Sequence, residues 1–227
     1  KEVLPVCETI TVFTDEEIEK FKAEAYKKYP SGKPKHNQAS AYILMLNTGL
    51  RTGEVLGLLN SDIDIENRVM HLNRGVKEIS KRDGVTAEKG REVKVGKLKS
   101  ATSKRAVPLN DTAIEMILDL RKEFYFGEDS PLIPDENGNF TRPVNFRKRY
   151  YRILKVAGIE TKGLHSLRHT FATNLVNGIK QPDGSIKSLT PRQVADLLGH
   201  TTSEITELYY VKRDLTKLNG VTDGFEF

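Results

Sequence analysis

The chain has 227 residues, 37% of them hydrophobic and 30% charged, with a formal net charge of +5. This composition suits a folded globular protein of one substantial domain or two small ones. It excludes a helical membrane span, because no apolar run reaches the roughly 18 residues that such a helix needs. The excess of 36 Lys and Arg over 31 Asp and Glu is a mild lean towards polyanionic partners. Cys7 is the single cysteine, which excludes an internal disulfide and suits a reducing cytoplasm. The opening KEVLPVCETITVFTDEE has neither a signal-peptide pattern nor an initiating Met, so a piece of a longer chain is expected.

In chain order, Thr14 followed by Glu17 forms a capping box, and Asp15 and Glu16 load the first turn with acid. A helix is expected from there to about Lys28, with Ile18, Phe21 and Tyr26 on its apolar stripe. After the break YPSGKPKHN, a second helix is expected from about Gln38 to Asn47. TGLRTGE interrupts it, and GEVLGLLNS forms a short third helix. Three strand signals follow, at 68–76, within 91–99 and at 104–109, with a polar excursion at 77–90 between the first two. Together they predict a small three-stranded antiparallel sheet.

The remainder reads as helical. Asn110 or Asp111 caps a helix to about Phe124. Thr141, with Pro143 in the first turn, starts another that Gly158 ends, and SLRHTFATNLVNG makes the next. IKQPDGSIKS is a loop or short hairpin. Thr190, Pro191 and Gln193 start a helix through RQVADLLGH, and Ser203 caps SEITELYYVK. The fold class is therefore mainly α with a small three-stranded antiparallel β-sheet.

Two features raise a question about function. The window 89–105 is dense in basic residues, with Glu92 as its one acid. Such a stripe either tracks phosphates or is a solvated hairpin edge. In LHSLRHT, His165, Arg168 and His169 crowd one segment, so they face either solvent or an anion. Four separated pieces, TGLRTGE (48–54), KLKSATSKRAVPL (97–109), LHSLRHT (164–170) and LLGHTTSEITELYY (197–210), occur in an order and spacing that resembles the tyrosine recombinase family of site-specific DNA recombinases. The resemblance spans about residues 12–212 and is to the family's catalytic domain, so it implies that catalytic-domain fold.

The resemblance implies a division of the chain into a linker at 1–12 from a missing N-terminal core-binding domain, a catalytic domain at 13–213 and a C-terminal tail at 214–227 that packs on a neighbouring protomer. It matches Arg51 to the first catalytic arginine and Glu54 to its supporting acid. Lys99 matches the hairpin lysine, His165 and Arg168 the His-x-x-Arg pair, and His200 the histidine after Leu-Gly. The nucleophile falls on Tyr209, with Tyr210 as the alternative. Two helix neighbours point about 100° apart, so only one can aim at a phosphorus. Lys94, Lys97, Lys104 and Arg105 are candidate DNA contacts. The stretch around 176–190 is longer than in most members and reads as a surface hairpin insertion.

The residue types fit the implied chemistry. Arginines are planar, always charged and able to hold one phosphate through two hydrogen bonds each. Tyrosine, with an ordinary pKa of about 10, needs a cationic pocket and a base to attack. The sequence has no Walker-type phosphate loop and no cluster with metal-ligand spacing, so neither cofactor nor metal is expected. The implied partners are double-stranded DNA carrying recombination sites, three further copies of the chain in a tetramer on two duplexes, and accessory DNA-bending or excision factors. No membrane is involved. The implied function is integration and excision of a mobile genetic element in the bacterial cytoplasm, at the nucleoid when active. An Xer-type resolvase, a type IB topoisomerase and, from a different class, a non-catalytic DNA-binding module are the alternatives.

Overall fold

A computed structural model of the chain describes residues 11–80, 91–97, 104–180 and 183–199. Among them are seven α-helices: α1 (Asp15–Ala25), α2 (Ser40–Thr48), α3 (Thr52–Val55), α4 (Asp111–Glu123), α5 (Pro143–Ala157), α6 (His165–Asn177) and α7 (Pro191–Leu198). The short strands are β1 (Ile63–Asp64), β2 (Val69–Leu72), β3 (Arg74–Ser80), β4 (Arg91–Lys97), β5 (Arg105–Pro108), β6 (Ile179–Lys180) and β7 (Ile186–Lys187).

Three of the seven helix starts follow the caps in the sequence. Thr14 Oγ1 accepts from the Glu17 N–H at 3.2 Å, while Glu17 Oε2 accepts from the Thr14 N–H at 2.9 Å. Asn110 and Thr190 cap α4 and α7 in the same way, the latter with Gln193 reaching back. The start of α5 is a correction. Arg142, not Thr141, holds the N-cap position and makes no side-chain capping bond. α1 also ends at Ala25 rather than near Lys28, where Glu24 turns to bond His36 across the following loop at 2.8 Å.

The strands pair differently from the expected sheet. A three-stranded antiparallel sheet forms, in the order β1-β2-β5, with Met70 opposite Val107. The single strand expected at 68–76 is broken at Asn73, whose side chain donates to Asp62 Oδ1 at 3.0 Å while Arg74 pairs with the other Asp62 oxygen. Past that bend the chain enters a separate antiparallel ribbon, β3-β4, so the segment at 91–97 joins β3 and not the sheet. The segment expected as loop or hairpin after α6 is the small β6-β7 ribbon.

The core centres on α2. Ala41 to Met45 are all buried, so this helix is apolar all round, and it is packed by α4 on one side and α6 on another. Aromatic rings lock the α1 and α5 side, with Tyr42 4.5 Å from Phe146 and Phe21 5.9 Å from Tyr150 between centroids. The start of α1 is tied to α6, where the Phe13 N–H donates to Thr170 Oγ1 at 2.9 Å. A second, smaller cluster of Ala172, Val194 and Leu198, with Phe171, Leu175 and Leu189 against it, joins the end of α6 to α7. No helix among the described residues is long and apolar enough to cross a membrane.

Candidate active site

The TGLRTGE stretch turns the chain from α2 into α3, and its glycines explain the shape. Gly49 caps α2 in the left-handed conformation at φ 64°, and a Cβ there would lie 2.5 Å from Phe171 and 2.7 Å from Leu198. Gly53 lets α3 press against β3, since its Cβ would come 2.8 Å from the Val76 carbonyl oxygen. Between them Arg51 holds the N-cap position of α3, and Glu54, three residues on, reaches back to accept from its N–H at 2.8 Å.

Glu54 is buried, and three arginines gather on it. Arg51 Nη1 donates to Oε1 at 2.8 Å. Arg105 Nη1 and Nη2 donate to its two oxygens at 3.1 and 3.2 Å. Arg168 Nη1 lies 4.0 Å from Oε2. Burial alone would raise the carboxyl pKa, but the hydrogen bonds and charge of Arg105, then of Arg51, outweigh it and hold Glu54 below the ordinary value. Glu54 thus stays an anion that orders arginines.

Arg168 comes from the first turn and a half of α6 and is almost wholly buried. It donates to the Gly49 carbonyl at 2.7 Å and to the Leu198 carbonyl at 2.8 Å, so it joins the ends of α2 and α7. Arg51 is the more open of the pair, its side chain 36% exposed. His165 begins α6 at an exposed position beside them. Desolvation by the protein on its inner side, then the positive charges of Arg168 and Arg51, push its pKa below the usual histidine value. His169 is more enclosed. Desolvation, then His165 and Arg168, lower its pKa to about 4.

Arg105, a candidate DNA contact in the sequence, has a side chain 8% exposed, paired with Glu54 and donating from Nε to the Leu197 carbonyl at 2.8 Å. Its place at the start of β5, on the central sheet, turns it inward to hold Glu54 and α7. Lys94 and Lys104 are exposed, and Lys97 ends β4. Lys77, which sequence reasoning passed over, lies directly opposite Lys94 in the β3-β4 register, and both are exposed. Like charges directly across a ribbon repel unless an anion joins them. The signal was present only in the strand pairing. Cys7, Lys99, His200, Tyr209, Tyr210 and the tail at 214–227 lie outside the described residues. Among the described residues no group of three or more His, Cys, Asp or Glu could hold a metal ion.

The family model for the phage integrase family matches residues 11–215. The chain belongs to that family. A XerC-like tyrosine recombinase of Caldanaerobacter subterraneus subsp. tengcongensis is 32% identical over 216 residues, covering 88% of this chain and 50% of that protein. The transposase from transposon Tn916 of Enterococcus faecalis is 27% identical over 218 residues, with 88% and 47% coverage. The chain spans about half the length of the curated relatives it matches. Among solved structures, the Tn1549 transposon integrase in complex with transposon right end DNA superposes with a TM-score of 0.73 at 20% identity, over 98% of this chain and 68% of that one. XerA recombinase superposes at 0.62 with 19% identity, over 99% and 66%. The fold is that of a tyrosine recombinase catalytic domain, mostly helical with small antiparallel sheets.

Proposed function

We propose that this chain is the catalytic part of a site-specific recombinase that cuts and rejoins DNA through a 3′-phosphotyrosyl intermediate, serving integration and excision of a mobile genetic element. The observation that carries this reading is the gathering of Arg51 and Arg168 on the buried Glu54, with His165 beside them. A half-buried arginine next to a preorganised buried one has the chemistry to clamp a phosphate. Donors aimed at the charge that develops on phosphorus are each worth about 3 kcal/mol, by analogy with an oxyanion-hole donor.

In this mechanism the Tyr209 hydroxyl attacks the phosphorus. Its proton passes to His165, whose lowered pKa leaves it neutral and able to accept one near pH 7. The bond from phosphorus to the 5′ oxygen breaks, and Lys99 protonates the leaving oxygen. A 5′ hydroxyl from a second duplex reverses the step on a new strand. Because each exchange replaces one phosphoester with another, no nucleotide is consumed, and the arginines supply the charge stabilisation that a metal would otherwise give. His200 adds a donor to the clamp, and Lys94, Lys97 and Lys104 steer the duplex. The working assembly is a tetramer on two duplexes, with the tail at 214–227 packing on a neighbour and accessory DNA-bending or excision factors assisting, in the bacterial cytoplasm.

Covalent trapping tests the reading. The protein is incubated with a radiolabelled duplex carrying its recombination site, in EDTA without nucleotide, and run on a denaturing gel. A labelled protein band lost in Tyr209→Phe and kept in Tyr210→Phe is expected. Loss only in Tyr210→Phe moves the nucleophile by one residue. Absence of any band from a protein that still binds the site, with its preceding domains restored, would overturn catalysis in favour of a DNA-binding module. The XerC-like relative supports a second reading as a chromosome-dimer resolvase. Excision of a marked element as a circle, without resolution of a plasmid dimer, separates the two.

A further inference from the structure

Three of the four motif pieces meet at Arg105, and the proposed chemistry gives it no part. Each of its three guanidinium nitrogens donates to the protein: Nη1 and Nη2 to Glu54 Oε1 and Oε2 at 3.1 and 3.2 Å, and Nε to the Leu197 carbonyl at 2.8 Å. The first two bonds reach the TGLRTGE turn, and the third reaches the last turn of α7. Arg105 itself belongs to the piece that carries Lys99. The last carbonyls of a helix have no partner within it, and that end attracts positive charge. At α7 two guanidinium groups answer both needs, Arg105 at Leu197 and Arg168 at Leu198. Gly199 then leaves the helix in the left-handed conformation at φ 66°, directly before His200 in the sequence. Packing fixes that exit weakly, since α7 rests on a small cluster through Val194 and Leu198.

We propose that Arg105 is a positioning residue for strand cleavage: without touching DNA, it docks the end of α7 on Glu54 and so fixes where the segment carrying His200 and Tyr209 begins. The inference rests on the recombinase reading. Charge gives Arg105 a second effect on the same step. Arg51 and Arg105 share Glu54 Oε1, at 2.8 and 3.1 Å. Because Arg105 also holds Oε2, the buried carboxylate stays countered when Arg51 turns to a phosphate. Only arginine has the rigid fork to reach two carboxylate oxygens and a carbonyl at once. A lysine in its place keeps the charge as a single point.

The test separates binding from cleavage, in the protein with its preceding domains and on a duplex carrying the recombination site. Arg105→Lys and Arg105→Gln should bind the duplex with wild-type affinity. Both should form the covalent protein–DNA band about 100-fold more slowly under single-turnover conditions, the loss that a displacement of about 1 Å produces from outside the chemistry. Hydrogen exchange should show the amides of α7 opening sooner in both variants, while those of α2 keep their protection. A wild-type cleavage rate in both variants would overturn this inference alone. Full activity in Arg105→Lys only would overturn it too, leaving a charge effect without docking. An equal loss of binding and cleavage would make Arg105 a DNA contact, which is the opposite of the proposal. Absence of any covalent band from wild-type protein that binds the site would sink the recombinase reading itself.

Discussion

A carboxylate that is 3% exposed remains ionised in this protein because guanidinium groups surround it. Glu54→Gln keeps the shape and removes the charge, leaving Arg105 and Arg168 buried without their counter-ion. Breaking a buried pair from one side costs about 3–5 kcal/mol, which urea unfolding at neutral pH should show. The same residue predicts an acid limb. Its folded pKa lies below the usual 4.5, so its stabilisation is present above that value and is lost as pH falls through the folded pKa. His169 titrates in a higher window. With a folded pKa of about 4 against 6.5 ordinarily, its contribution is full above 6.5 and disappears as pH falls towards 4. The thermal midpoint should therefore decline across that window, and His169→Gln should flatten that part of the decline. For His165 the lowered pKa keeps the base neutral in mild acid, so the acid limb of strand cleavage should fall below pH 6.5.

Among the elements, the α2-to-α3 turn is the least tolerant. Gly49→Ala combines a left-handed backbone with a clash on Phe171 and Leu198. The two effects together should cost at least about 2 kcal/mol. Thr190→Ala, which removes only the cap of α7, should cost about 1 kcal/mol. Equilibrium unfolding of the two variants checks both values. The capped helices and the Gly158 stop were legible in the sequence because their signals are local. The strand pairing was not, because the bend at Asn73 is set by Asp62, eleven residues earlier, and no periodicity records that bond. The inward turn of Arg105 was hidden for the same reason. A basic residue in a basic run reads as surface until the fold brings Glu54 beneath it. Arg51, Glu54 and Arg168 were legible only as a spaced set, and their convergence on one carboxylate belongs to the tertiary structure.

Across the whole molecule the two hydrophobic clusters are unequal. The large one holds α1 to α5 and the start of α6, while the small one holds the end of α6 and α7. Regions with few buried apolar contacts open first. Native-state hydrogen exchange should therefore release the amides of α7 well before those of α2. Equal protection would mean that the carbonyl bonds from Arg105 and Arg168 to α7 anchor it as firmly as packing does.

The bond from the Phe13 N–H to Thr170 Oγ1 joins positions 157 residues apart. A ribosome releases α1 well before the α5 rings, Lys162 and Thr170 that receive it. Until then α1 has its capping box and its Lys20–Glu16 pair to keep it helical, and Phe21 has Phe13 and Tyr42 but not the Tyr150 ring to pack against. A nascent chain stalled before residue 143 should leave α1 open to protease, and one extended past residue 180 and clear of the exit tunnel should protect it. The domain would thus close in a late step, with α1 waiting for the segment that carries His165 and Arg168.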